Sequence, residues 1–185
     1  MVSGPSGSGK TTLRELLLKS KKLKGKLTKS VSFTTRPKRS GERQGEGYFF
    51  LSEQEFKERL RAKKILEWTK YLGYYYGTPR DRLREKLSAG RHLVLCLDLK
   101  GASRIKRLYP RNTVTIFILP PSVDALKNRI AGRCSKVKNR EIARRLQLAR
   151  KEVQAAHKYD YSVVNEHLAS AVRELEDIVL KEGEN

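Results

Sequence analysis

At 185 residues, with 38% hydrophobic and 33% charged positions, the chain has the size of one domain around a single sizeable core. No apolar run approaches the roughly 18 residues of a membrane span, and the opening residues form a glycine-rich loop in place of a signal segment, so a cytoplasmic protein without a membrane partner is expected. Forty-one Lys and Arg against 20 Asp and Glu give a net charge of +21, yet the basic residues are spread along the chain without aromatic interleaving, which predicts weak, salt-sensitive adhesion to nucleic acid and no specific nucleic-acid partner.

In chain order, Gly4-Pro5-Ser6-Gly7-Ser8-Gly9-Lys10-Thr11 comes first and fits G-x-x-x-x-G-K-[ST] without a mismatch. Glycines in this pattern let backbone N–H groups turn inward onto phosphate oxygens, and the helix that follows points its positive dipole end at them. Lys10 then reaches the β- and γ-phosphates, and the Thr11 hydroxyl is placed for a Mg²⁺ shell. Leu13, Leu16 and Leu17 give that helix an apolar face. Only Met1, Val2 and Ser3 precede Gly4, short for a strand, so a natural start further upstream is expected.

Residues 19–29 read as a lysine-rich connection, and residues 32–76 break the rhythm with more aromatics and glycines, which predicts an inserted substrate-binding subdomain. Within it, Ser52-Glu53-Gln54-Glu55 has capping-box spacing. Thr78-Pro79-Arg80-Asp81 reads as an N-cap followed by a first-turn proline, opening a helix that ends near Gly90. Residues 93–97 and 114–118 are nearly continuous apolar runs, as in parallel strands covered on both faces, and 161–164 is a weaker third. Ile142, Leu146, Ala149, Val153 and Ala156 recur at helical spacing. Alternating strands and helices predict an α/β fold with a parallel sheet flanked by helices. Cys96 and Cys134 are too few for a disulfide framework. His92, His157 and His167 show no acid–base pattern and read as structural or surface residues.

Four further segments carry a resemblance: Ser30-Val31-Ser32-Phe33-Thr34-Thr35-Arg36-Pro37-Lys38-Arg39, Leu66-Glu67-Trp68, Tyr75-Tyr76-Gly77-Thr78 and Ile118-Leu119-Pro120-Pro121-Ser122. With the phosphate loop, they make the chain resemble the guanylate kinase family from Ser3 to about Val179. The resemblance implies a single domain over 1–185, with a core of 1–31 and 77–185, a GMP-binding insertion at 32–76 and a lid at about 133–140. It implies direct in-line transfer of the γ-phosphoryl of ATP to GMP or dGMP, with Mg²⁺, in a protein expected to be monomeric. Arg36 and Arg39, with Tyr48 and Tyr76, would clamp the GMP phosphate, since guanidinium forks suit phosphate oxygens. Glu67 would accept from guanine N1–H and the 2-amino group, with Ser32 and Thr78 toward O6, and Asp98 would lie beside the guanosine and metal region. Arg129, Arg133 and Arg145 match lid arginines that neutralise the transferring phosphoryl, a role worth about 10³ to 10⁵ in rate for an arginine finger. Asn165 would lie near the adenine end of ATP.

The chain departs from the family pattern in places. Cys96-Leu97-Asp98 stands where the family carries Asp-Ile-Asp, and a thiol does not replace a hard carboxylate for Mg²⁺ or its waters. Lys100 replaces the usual glutamine. Reduced metal affinity or turnover, or partial charge neutralisation by Lys100, is the expected consequence. Residues 132–140 stand as a more basic lid segment, one residue longer than the family pattern. The competing readings are a catalytically impaired phospholigand-binding module of this family, a related kinase with another phosphorylated acceptor, and a basic nucleic-acid-binding protein.

Overall fold

The computed structural model describes residues 1–132 and 139–183. Its strands are β1 (Val2–Ser3), β2 (Leu27–Lys29), β3 (Ser32–Thr34), β4 (Tyr48–Phe50), β5 (Ile65–Tyr71), β6 (Tyr74–Pro79), β7 (His92–Val94), β8 (Ile116–Leu119) and β9 (Tyr161–Val164). Its helices are α1 (Lys10–Leu18), α2 (Glu53–Arg61), α3 (Arg80–Ser88), α4 (Leu99–Leu108), α5 (Val123–Gly132), α6 (Asn139–Gln154) and α7 (Leu168–Gly183). The chain divides into two compact units, one of Met1–Gly25 with Cys96–Asn185 and one of Lys26–Leu95. The predicted lid at 133–140 lies outside the described residues apart from the start of α6.

In the first unit β1, β8 and β9 form a parallel sheet in the order β1-β8-β9, with Val2 opposite Ile116 and Phe117 opposite Ser162. Phe117, Ile118 and Val163 are buried almost completely, which explains the unbroken apolar run in β8. Helix α1 packs on α7 with Leu13, Leu17, Ala171 and Leu175 buried. On α6, Leu146, Ala149 and Ile142 meet Leu126 and Ile130 of α5. Each fully buried Leu or Ile contributes about 1.5–3 kcal/mol of transfer free energy. The β8 ladder begins at Ile116 and not at Val114, because Thr115 gives its N–H and hydroxyl to the Asp160 carboxylate, at 2.8 Å each. The predicted strand at 93–97 also stops early. Its ladder ends at Val94, and Cys96 makes only an isolated parallel bridge to Val2.

The second unit is built on the sheet β4-β3-β6-β5, parallel between β3 and β4 and antiparallel elsewhere, together with a parallel β2–β7 pair. Phe33, Phe56 and Ile65 are its core. The β5–β6 hairpin turns on Leu72 and Gly73, at φ of 50° and 89°, the positive pair that a two-residue turn matching strand twist requires. Helix α2 opens with the predicted capping box: Ser52 Oγ accepts the Glu55 N–H at 3.1 Å, and the Glu55 carboxylate accepts the Ser52 N–H at 2.7 Å. The predicted N-cap at Thr78 is corrected. Strand β6 continues through Pro79, which occupies the N-cap position without a side-chain bond, and the Thr78 hydroxyl is used elsewhere. Helix α3 then ends as expected, with Gly90 at φ 68° and its N–H on the Leu87 carbonyl.

Candidate active site

Strand β1 delivers the chain into the phosphate loop, and α1 begins at its lysine. Gly4, Gly7 and Gly9 of the loop all have positive φ, and the first and last are the most tightly confined. Gly4 has φ 137°, and a Cβ there would sit 2.4 Å from the Ile118 carbonyl oxygen. Gly9 has φ 96°, and a Cβ there would lie 2.2 Å from the Asn165 amide nitrogen. Asn165, buried at the end of β9, donates that amide to the Ser8 carbonyl at 2.7 Å. It therefore braces the loop from beneath. Its own carbonyl accepts from Arg129 Nη2 at 3.0 Å, while Arg129 Nη1 is enclosed without a partner among the described residues. Lys10 Nζ folds back across the loop onto the carbonyls of Gly4 and Pro5, at 2.5 and 2.8 Å. An incoming phosphate would draw it off these neutral acceptors, because charge-assisted bonds are the stronger ones. Thr11 is exposed on the first turn of α1, and Pro5, Gly7 and Ser8 are buried in the loop with Ser6 half-buried. Arg145 lies half-buried on α6. Arg133 falls outside the described residues.

Beside the loop stands a group of polar side chains of which the sequence reading named only part. Asp98 N-caps α4, its Oδ1 accepting the Gly101 N–H at 2.8 Å. Glu152, on α6, has one carboxylate oxygen enclosed and without a hydrogen-bond partner. Burial pushes its carboxyl up to about 7, with nearby Asp98 adding to the shift and Lys10 opposing it. The Tyr159 hydroxyl is raised by burial, and Asp98 and Glu152 contribute in the same direction. Cys96 carries a thiol raised by burial, with Arg14 and Lys10 pulling the other way. Arg14 itself is buried and forks onto Glu15 through Nε and Nη2, at 3.1 and 2.7 Å.

The second unit holds every expected GMP residue except Asp98: Ser32 on β3, Tyr48 on β4, Glu67 on β5, Tyr76 and Thr78 on β6, and Arg36 and Arg39 in the loop after β3. Ile65, Leu66 and Glu67 are buried in succession, although Trp68 beyond them is exposed. The register shifts between Ile65 and Trp68, so a bulge turns Glu67 inward. Glu67 is 2% exposed and accepts the Thr78 hydroxyl at 2.5 Å. Gly77 leaves room for this, since a Cβ there would come within 2.8 Å of Ile65 Cγ2 and 3.1 Å of the Glu67 carbonyl. Arg36 lies 5.6 Å from the centroids of both Tyr48 and Phe50, and the Tyr48 and Tyr76 rings meet edge to face at 6.0 Å.

One partner here escaped the sequence reading. Glu42 accepts from Arg36 Nη2 with both oxygens, at 2.7 and 3.0 Å, and from the Arg39 N–H at 2.8 Å. Burial alone would raise the Glu42 carboxyl, but these donors hold it below its ordinary range. Arg36 is correspondingly raised, the bond to Glu42 outweighing the effect of burial. No motif signalled Glu42. Its only trace in sequence is an acid six residues after Arg36 in a basic loop.

A short first strand running into a lysine-bearing glycine loop, in a parallel sheet flanked by helices, defines a phosphate-loop α/β nucleotide-binding protein. Residues 1–182 match the sequence profile of guanylate kinase. The chain is 42% identical over 182 residues to a guanylate kinase of Synechocystis sp., covering 98% of this chain and 93% of that one. It is 40% identical to a guanylate kinase of Wolbachia pipientis wMel, covering 98% and 89%. A crystal structure of guanylate kinase from Anaplasma phagocytophilum superposes with a TM-score of 0.80 at 30% identity, over 98% of this chain and 83% of that one. The chain belongs to the guanylate kinase family.

Proposed function

We propose that the chain is an ATP:GMP phosphotransferase that moves the γ-phosphoryl of ATP to GMP, or dGMP, in one in-line step, and that its two units divide the ligands. The observation that carries the acceptor choice is the buried Glu67 on its bulge. Guanine offers N1–H and a 2-amino group side by side to a carboxylate, and adenine offers no such pair. A site built around buried hydrogen bonds rejects the wrong base by orders of magnitude, since mismatch leaves its polar groups unpaired. Thr78 fixes the carboxylate, and Ser32 completes the recognition of the base.

Arg36 and Arg39, with the Tyr48 and Tyr76 hydroxyls, bind the GMP phosphate, and Glu42 holds Arg36 by two bonds so that its fork is oriented before the ligand arrives. The loop 4–11 cradles the ATP phosphates. Lys10, Arg129, Arg133 and Arg145 neutralise charge as a GMP phosphate oxygen bonds to the γ-phosphorus and the bond to the bridging β–γ oxygen breaks, leaving ADP and GDP. Positioning and charge stabilisation are all this transfer asks of the protein. Thr11 and Asp98 supply the hard oxygens that suit Mg²⁺, which takes most of its ligands from phosphates and water. When bound, the ion supplies charge neutralisation on the β- and γ-oxygens. No helix among the described residues is long and apolar enough to cross a membrane. A cytoplasmic monomer without a specific nucleic-acid partner fits this activity.

The reading is tested by measuring ADP formation from ATP with GMP, AMP, CMP or UMP as acceptor. Selective turnover with GMP supports it. Tight ATP binding without turnover on any acceptor would favour the phospholigand-binding module, and turnover with another acceptor would reassign the substrate.

A further inference from the structure

Resting on the kinase reading above, we infer that Glu152 is the second carboxylate of the metal–triphosphate site, accepting hydrogen bonds from the water shell of the nucleotide-bound divalent ion in the role vacated at Cys96.

On α6, Leu146, Ala149 and Glu152 follow at three-residue spacing, which sets them on one side of the helix. Leu146 and Ala149 use that side to pack against α5. An apolar residue is expected one turn further on. A carboxyl stands there instead, with one oxygen enclosed and bonded to nothing among the described residues. Enclosing a polar atom without a partner is costly, so this oxygen is placed to accept a donor that binding brings.

The neighbours say what kind of donor. Glu152 lies within electrostatic reach of Lys10, from the phosphate loop, and of Asp98, on the unit that carries the loop. Asp98 already spends one oxygen on the α4 cap. Cys96, near Lys10 and Arg14, offers a soft sulfur to which a hydrated Mg²⁺ has no affinity. Waters on a divalent ion are strong donors that need acceptors, and residues orienting such a shell matter almost as much as the ligands themselves. Among the described residues, Glu152 brings an unused hard oxygen to this place. Lys100, the alternative source of compensation, is exposed on the first turn of α4 and as a cation supplies no acceptor.

The test uses Mn²⁺ as a paramagnetic stand-in for Mg²⁺, titrated into the chain saturated with ATP and followed by electron paramagnetic resonance. Wild type and Glu152→Gln are compared, with ATP affinity in EDTA and the melting temperature recorded for each. The expected result is a rise of about 10- to 100-fold in the Mn²⁺ dissociation constant of the variant, with metal-free ATP affinity and melting temperature unchanged. An unchanged Mn²⁺ constant beside normal ATP binding overturns the inference and leaves the kinase reading intact. An equal loss of metal-free ATP affinity, or a drop in melting temperature, also overturns it, because Glu152 is then a structural residue. Failure of the wild type to bind Mn²⁺ with ATP sinks both.

Discussion

Thr78→Val exchanges one hydroxyl for a methyl of similar size, which makes it a clean probe of the base-recognition pocket. Thr78 is fully buried, Glu67 is 2% exposed, and the hydroxyl meets the carboxylate at 2.5 Å. Valine keeps the shape and the β-branch, so no cavity term enters. What is lost is the donor, leaving a buried carboxylate oxygen short of a hydrogen bond. Hydrogen bonds to charged groups are worth about 1.5–3 kcal/mol. For a domain of this size each kcal/mol moves the melting temperature by about 2–4 °C, so the variant should melt about 3–12 °C lower. The assay is calorimetric melting of the ligand-free protein, repeated in the Glu67→Gln background. There the effect of Thr78→Val should shrink, because contacting residues are not additive. A Thr78→Val protein that melts with the wild type, or a loss that persists undiminished beside Glu67→Gln, would refute the claim that Thr78 holds Glu67.

Two other predictions come from the first unit. Gly9→Ala forces a side chain into a position of φ 96° and within 2.2 Å of the Asn165 amide nitrogen; the brace on Ser8 must break, and ATP affinity measured by equilibrium dialysis should fall steeply in protein that remains folded by circular dichroism. Asp160 accepts from Lys106 at 2.9 Å and twice from Thr115, and these bonds, opposed by burial, hold its carboxyl below the ordinary 3.8. A depressed value means stability that is fully present above about 3.8 and lost as pH falls through the folded value. Asp160→Asn should therefore be less stable than wild type to urea near neutral pH, with the gap closing as pH falls below about 4; a gap that stays constant would count against the pairing.

The parts of this molecule that sequence made visible are those whose cause is local. The phosphate loop, the Ser52 capping box and the Ile142–Leu146–Ala149 face each depend on residues within a few positions of one another, and the structure reproduces them. Thr78 has the local chemistry of a helix cap, but Glu67, brought across the hairpin from β5, takes its hydroxyl. The inward turn of Glu67 was not legible either, since a bulge shows only when register is known. Glu42 and Glu152 were missed for a related reason: a carboxylate in a charged loop or on a helix looks solvated until the fold sets it against Arg36 or beside Lys10. The brace that the buried Asn165 amide gives Ser8 has no local signal either, since the two are 157 positions apart.

The most direct measurement of the central claim is kcat/KM for GMP in wild type and Glu67→Gln, with ATP affinity determined in both. Glutamine keeps the size but presents an NH₂ to a base edge made of donors. The account predicts a fall of orders of magnitude with GMP and an ATP affinity unchanged, because Glu67 belongs to the unit that binds the acceptor. A variant that phosphorylates GMP as well as the wild type does would contradict it.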